Sequence, residues 1–208
     1  MSGRRRLGLY GGSFDPIHRG HVDPVLRALQ DFELDRVLYL PTAQPPHKEG
    51  PRAAPPLARY AMVELALLDH EQLHVSPFEM ERQEVAYTVD TLEHFTALDT
   101  GCELVLLIGA DSFLALERWV RWERIVELAR IGILPRPGYD GTSGFDARLT
   151  PNLQRLLDSG RAQRVDDPTR VDLSSTEIRQ RLAEGGGGLA EDLPTQVLHY
   201  IRKYDLYR

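Results

Sequence analysis

Two histidines three residues apart, His18 and His21, close the run Gly11-Gly12-Ser13-Phe14-Asp15-Pro16-Ile17-His18-Arg19-Gly20-His21. Where such a segment has begun to turn as a helix, that spacing puts both imidazoles on one side, facing the same ligand. The glycines upstream let the backbone approach a phosphate with no Cβ in the way, and amide N–H groups at a helix start attract an anion. Together these residue types read as a phosphate cradle with two imidazole donors. Singly, each part has an ordinary explanation: Gly-Gly after a strand is a tight turn, and a lone histidine sits on a surface or in a core. Their conjunction at the end of a first strand is what points to chemistry.

A second constellation lies near the other end of the chain, in Ser174-Ser175-Thr176-Glu177-Ile178-Arg179. Ser174 and Glu177 fit a capping box and so mark a helix start. Capping accounts for one hydroxyl; Ser175, Thr176 and Arg179, one turn on, remain suited to terminal phosphates. Between the two constellations, Lys48 in Pro45-Pro46-His47-Lys48 offers a charge that a phosphate needs. Thr88 in Tyr87-Thr88-Val89-Asp90-Thr91-Leu92 reads as an N-cap, and the amides of that helix start could hold an anionic group. Asp111, after Gly109-Ala110, either caps the helix from Ser112 onward or accepts a bond from a ribose hydroxyl. Trp119 and Trp122 stand in Arg118-Trp119-Val120-Arg121-Trp122, too polar a setting for both to be deep core. Either they are half-buried over helix edges, or one supplies a stacking face.

The elements that must position these groups alternate. Strands are expected at Leu7–Tyr10, Arg36–Leu40, Leu73–Val75, Leu104–Ile108 and Arg130–Leu134, with a last edge strand around Arg164-Val165. Helical spacing joins Val22, Val25, Leu26, Leu29 and Phe32, then Leu57, Ala61, Leu65 and Leu68, then Leu153, Leu156 and Leu157. Thr42 to Pro56 is a proline-rich loop, and Tyr139 to Asp146 reads as a mobile surface loop. Gly185 to Gly188 follows a helix and has no P-loop lysine, which makes it a connection. A last helix has Val197, Ile201 and the nearby Leu206 and Tyr207 with which to cover the sheet. This alternation predicts an α/β fold, a doubly wound, Rossmann-like parallel sheet of five or six strands with helices on both faces. The residues singled out should converge at one rim of that sheet.

A chain of 208 residues, 42% hydrophobic, supports one core, and a single domain over 1–208 is expected, with the helical part from about 174 packed on it. The net charge of −6 argues against a nucleic-acid surface. Cys102 is the only cysteine, so no internal disulfide forms and a buried thiol in a reducing compartment is expected. No stretch approaches the roughly 20 apolar residues of a membrane span. A cytoplasmic protein is expected, with its oligomeric state, a homo-oligomer included, left open.

Five segments resemble one family. They are Gly11–His21, Pro45–Lys48, Tyr87–Leu92, Ile108–Phe113 with Trp119 following, and Ser174–Arg179, and the chain from about Leu7 to Tyr207 is similar to bacterial nicotinate-nucleotide adenylyltransferases. The first segment resembles the signature that small adenylyl- and cytidylyltransferases share. The resemblance implies transfer of the adenylyl group of ATP to nicotinate mononucleotide, giving deamido-NAD and pyrophosphate, with magnesium carried mainly by the ATP phosphates. It implies that Gly11, Gly12, Ser13 and Phe14 meet ATP through the backbone, that His18, His21 and Arg179 are catalytic, and that Ser175, Thr176 and Arg179 hold the outer phosphates. It places His47 and Lys48 near the mononucleotide phosphate, Thr88 and Trp119 on the nicotinate ring, and Asp111 on ribose or adenine edges. In some members an aromatic residue follows the stacking tryptophan. Here it is Val120, whose backbone amide would have to meet the pyridine carboxylate. The nucleophile is a phosphate monoester with a second pKa of about 6, largely dianionic at neutral pH, so no general base is called for. No cluster of carboxylates marks a dedicated metal site. A transferase for nicotinamide mononucleotide or phosphopantetheine, and a non-catalytic nucleotide sensor, are the alternatives.

Overall fold

The run Leu104-Val105-Leu106-Leu107-Ile108 has no polar side chain to offer to water, so it must be covered on both faces. In the computed structural model, which describes residues 5–43, 53–82, 86–136, 139, 144–166, 173–185 and 187–208, it is the body of strand β4 (Glu103–Gly109), buried from Leu104 onward. With β1 (Arg6–Gly12), β2 (Arg36–Pro41), β3 (Leu73–Val75), β5 (Ala129–Leu134) and β6 (Ala162–Arg164) it forms a six-stranded sheet in the order β3-β2-β1-β4-β5-β6. β4 runs parallel to β1, with Leu106 beside Leu9, and to β5, with Leu107 beside Gly132. β5 in turn runs parallel to β6, with Ile133 beside Arg164. The order reverses between β1 and β4, the doubly wound, Rossmann-like arrangement. Sheets of this class bind ligands outside the carboxyl ends of their strands, and β1 ends at the glycine pair.

The chain divides into two compact units. One comprises Met1–Tyr10, Pro24–Val37 and Ala86–Arg170. In it, α3 (Thr88–Leu98) packs on α5 (Trp122–Leu128), the short α4 (Ala110–Leu114) follows β4 directly, and α6 (Pro151–Asp158) leads into β6. The expected loop from Tyr139 to Asp146 is corrected at its end: Phe145 is buried and stacks on Phe113 with ring centroids 5.9 Å apart. The Phe113 ring gives Phe145 an aromatic partner away from water; residues 140–143 lie outside the described residues. Cys102 is half-buried rather than buried, and burial pushes its thiol up.

The other unit comprises Gly11–Asp23, Leu38–Val85 and Val171–Arg208. Its helix α2 (Pro56–Leu67) begins with a proline at the first turn, where a missing N–H costs nothing. Of the residues joined by helical spacing, Leu57 and Leu68 are 77% and 65% exposed and Ala61 and Leu65 half-buried, while Met62, Val63, Ala66 and Leu67 are buried together with Arg59. The helix is apolar nearly all round, so its periodicity could not choose a face. The last helix (Thr195–Lys203) packs on α2 and buries Val197, Leu198 and Ile201. In the glycine-rich connection the carbonyl of Gly188 accepts from the Arg181 guanidinium at 2.8 Å. Among the described residues no helix is long and apolar enough to cross a membrane.

Candidate active site

At the end of β1 the chain turns sharply. Phe14 adopts φ 45°, a left-handed conformation costing a non-glycine residue about 1 kcal/mol, and the burial of its ring offsets that cost. The ring lies over Gly12, where an added Cβ would come within 3.0 Å of it. It packs edge-on against His21 at 5.4 Å and beside Tyr39 at 5.5 Å. His18 precedes α1 (Arg19–Asp31), and His21 sits in the first turn of that helix. The His21 N–H donates to the His18 carbonyl at 2.8 Å, and the two rings lie 3.8 Å apart, the shared side that the spacing predicts.

The His18 backbone N–H donates to His21 Nδ1 at 3.3 Å. That bond needs a lone pair on Nδ1, so the neutral ring carries its proton on Nε2, as a donor. The His21 carbonyl accepts from the Tyr39 phenol at 3.0 Å. Ring and backbone are thus both anchored. Gly20 leaves room for the other ring: a Cβ there would stand 3.0 Å from His18 Nδ1. Alanine is the better helix former by up to about 1 kcal/mol. Gly20→Ala should therefore keep its melting temperature while displacing the His18 ring by a few tenths of an ångström, lowering turnover about tenfold. Thermal melts beside turnover measurements check this.

The far end of the chain meets this loop. Helix α7 (Ser175–Ala183) is capped by Ser174, whose Oγ accepts from the Glu177 N–H at 3.1 Å, as the capping box predicts. Ser175, left over by that capping as expected, donates its hydroxyl to the Pro16 carbonyl at 3.1 Å. Arg179 donates from Nη1 to the Asp15 carbonyl at 2.6 Å and from Nη2 to Thr176 Oγ1 at 3.2 Å. Two imidazoles, two hydroxyls and a guanidinium, drawn from opposite ends of the sequence, surround one turn.

Two further groups hold the turn, Arg59, which the sequence reading missed, and Asp15, which it quoted without a role. Arg59, 2% exposed, donates to the carbonyls of Ser13 (2.6 Å), Thr42 (2.7 Å), Ala43 (3.1 Å) and Ala54 (3.3 Å). Burial pushes its pKa down, against the attraction of Asp15. The Asp15 carboxylate, itself buried, accepts from the Ala54 N–H at 3.0 Å and the Tyr207 phenol at 2.7 Å. The only signal for Arg59 was an arginine amid apolar residues, in Leu57-Ala58-Arg59-Tyr60-Ala61-Met62-Val63.

The remaining predicted residues belong to the first unit. Thr88 is the first residue of α3 and not its cap; that position falls to the extended Tyr87, which makes no side-chain cap bond. Asp111 is likewise not a cap. Gly109 holds that place, and Asp111 sits in the first turn of α4 with its carboxylate 3.5 Å from Arg136 Nε. Trp119 and Trp122 are both half-buried and Val120 is exposed. Arg121, at φ 55°, donates from both terminal nitrogens to Glu93 of α3, at 2.6 and 3.2 Å, and so ties the Trp119 segment to the helix that Thr88 begins. His47 and Lys48 lie outside the described residues. Among the described residues no group of three or more His, Cys, Asp or Glu side chains could hold a metal ion.

Comparison with known proteins adds to this geometry. The cytidylyltransferase-like family model matches residues 9–181. A Solibacter usitatus protein named probable nicotinate-nucleotide adenylyltransferase is 39% identical over 203 residues, spanning 97% of this chain and 99% of its own. A Pseudomonas aeruginosa protein of the same name is 37% identical over 211 residues, 98% of each. The structure of Plasmodium falciparum nicotinic acid mononucleotide adenylyltransferase complexed with NaAD matches with a TM-score of 0.76, covering 98% of this chain and 97% of that one. At 18% identity that likeness speaks for the fold.

Proposed function

We infer the reaction from one premise: the chain belongs to the cytidylyltransferase-like family, through a match that takes in most of its length. It transfers the adenylyl group of ATP to nicotinate mononucleotide, releasing pyrophosphate and forming deamido-NAD in the cytoplasm. The observation that carries this reading is the meeting of His18 and His21 with Ser175, Thr176 and Arg179 around the turn after β1. Its support is that relatives spanning nearly the whole chain bear the name of that enzyme.

The phosphate of the mononucleotide, a dianion near neutral pH, attacks the α-phosphorus of ATP in line. A new P–O bond forms, the bond to the bridging oxygen breaks, and its electron pair leaves with pyrophosphate. No proton has to be removed. The protein's task is to hold two anions together and stabilise charge moving onto the leaving group. His21, with its proton on Nε2, and His18 donate to the reacting phosphates. Arg179, Ser175 and Thr176 hold the outer ones, and Gly11, Gly12, Ser13 and Phe14 line the nucleotide with backbone. Asp111 takes ribose or adenine edges. Thr88, Trp119 and the Val120 amide take the nicotinate ring, and His47 and Lys48 its phosphate. A donor set of imidazole N–H, hydroxyl and guanidinium suits phosphate oxygens and not a hard cation. Magnesium therefore fits on the phosphates and water, where it would neutralise charge on the pyrophosphate.

Pyrophosphate release measured side by side with nicotinate mononucleotide, nicotinamide mononucleotide and phosphopantetheine tests the acceptor. The nicotinate compound should be fastest. A faster rate with another acceptor replaces that substrate, and no release with any of them removes the transferase. Trp119→Ala should weaken nicotinate mononucleotide binding about tenfold, the scale of one aromatic stack, with little change for ATP. Equal losses in separate titrations would count against stacking on the pyridine.

A further inference from the structure

We propose that Tyr207, which follows the helix Thr195–Lys203, is a positioning residue for the phosphate-binding guanidinium of Arg179, acting through the Asp15 carboxylate. The proposal rests on reading the turn after β1 as a phosphate cradle. Asp15 Oδ2 lies 3.8 Å from Arg179 Nη1. A buried carboxylate so near a guanidinium ordinarily draws it into a direct two-pronged pair, which would consume the N–H groups that a phosphate needs. Here Oδ1 already accepts from the Tyr207 phenol and the Ala54 N–H, and Arg179 settles its Nη1 on the Asp15 main-chain oxygen at 2.6 Å. The Arg179 side chain stays 19% exposed beside a carboxylate only 5% exposed. The cation therefore reaches solvent and the anion does not.

The path of the chain end fits this role. After the last helix, Asp205 and Tyr207 both take left-handed backbone, at φ 59° and 70°. Non-glycine residues adopt that conformation only where something holds them. Leu206 N–H donates back to the Ile201 carbonyl at 3.1 Å, and the double turn buries the Tyr207 ring while leaving Tyr204 and Arg208 outside. Burial first, and then the charge of Asp15, push the phenol well above its ordinary range, so it remains a protonated donor. Without that hydroxyl, Asp15 keeps one donor fewer and claims the nearest cation.

Tyr207→Phe keeps the ring and removes only the hydroxyl. Titration of the full chain with pyrophosphate should show affinity falling about tenfold, the scale of one hydrogen bond to a charged group. In turnover assays kcat should fall with the KM for nicotinate mononucleotide unchanged. The deciding measurement is the double variant. In an Arg179→Ala background, Tyr207→Phe should cost no further pyrophosphate affinity, because its effect runs through that arginine. Unaltered pyrophosphate affinity in the single variant, or the same loss with Arg179 present and absent, overturns the proposal in favour of packing alone. A wild-type chain that does not bind pyrophosphate removes cradle and proposal together. One that binds it without transferring to nicotinate mononucleotide removes only the acceptor.

Discussion

His21→Ala is expected to lower turnover at least about a hundredfold, the loss that accompanies removal of one transition-state hydrogen-bond donor, while the chain stays folded. The imidazole is fixed on three sides: Nδ1 by the His18 amide, one ring edge by Phe14, and its backbone carbonyl by the Tyr39 phenol. Such anchoring serves no purpose for a histidine that merely fills space, since any apolar side chain would pack against Phe14. It does serve a donor that must point its Nε2–H without reorganising as charge develops. Truncation leaves the His18 N–H without its acceptor, a cost of about 1–3 kcal/mol, which a domain of ordinary stability, about 5–15 kcal/mol, survives. His21→Gln, whose amide nitrogen can reach the place of Nε2, should recover part of the rate. Turnover in the pyrophosphate-release assay, with circular dichroism to establish folding, decides the matter. A folded alanine variant with near-normal turnover takes His21 out of the mechanism.

What could be read from the chain was what local chemistry determines. The Leu104–Ile108 run reads as a buried strand, the Ser174 and Glu177 spacing as a helix start, and the three-residue step from His18 to His21 as two rings on one side, and the structure has all three. Readings failed where a choice depended on distant partners. Helix α2 offered Leu57, Ala61, Leu65 and Leu68 at helical spacing, but Met62, Val63, Ala66 and Leu67 are spaced as well, and the charge of Arg59 argued against the face that is buried. The carbonyls of Ser13, Thr42, Ala43 and Ala54, with the charge of Asp15, make that burial favourable, and no pattern local to α2 announces them. Nor does any local pattern announce a partner for Arg136, just past β5. Its approach to Asp111 comes from the β4–β5 register, which sets Gly109 beside Leu134 and so brings together the residues just past each strand. Tyr207, expected to be covered beside the last helix, is buried, but its hydroxyl finds Asp15, far away in the sequence.

Arg59→Met tests how far the cradle depends on that buried guanidinium, and its effect on stability should be large, about 3 kcal/mol or more. Methionine matches the length of the arginine stem and is as good a helix former, so α2 and its packing survive. What disappears is a rigid fork that joins the turn after β1, the end of β2 and the start of α2 through four carbonyls. Those oxygens either stay buried without a donor or separate to admit water, and in both cases Ser13 and the residues leading to His18 lose their support. Turnover should fall at least about tenfold even at temperatures where the variant is folded, because displacements well under an ångström matter at a reacting centre. Arg59→Lys should restore little of either property. An ammonium is a point donor on a flexible stem and cannot span carbonyls that a planar guanidinium holds in fixed directions. Urea unfolding of the two variants beside the wild type measures the first effect, and turnover well below their midpoints the second. If methionine unfolds within about 1 kcal/mol of the wild type, the range of ordinary substitutions, the fork is dispensable, and the turn holds its shape by the burial of Phe14 and the grip on Asp15 alone.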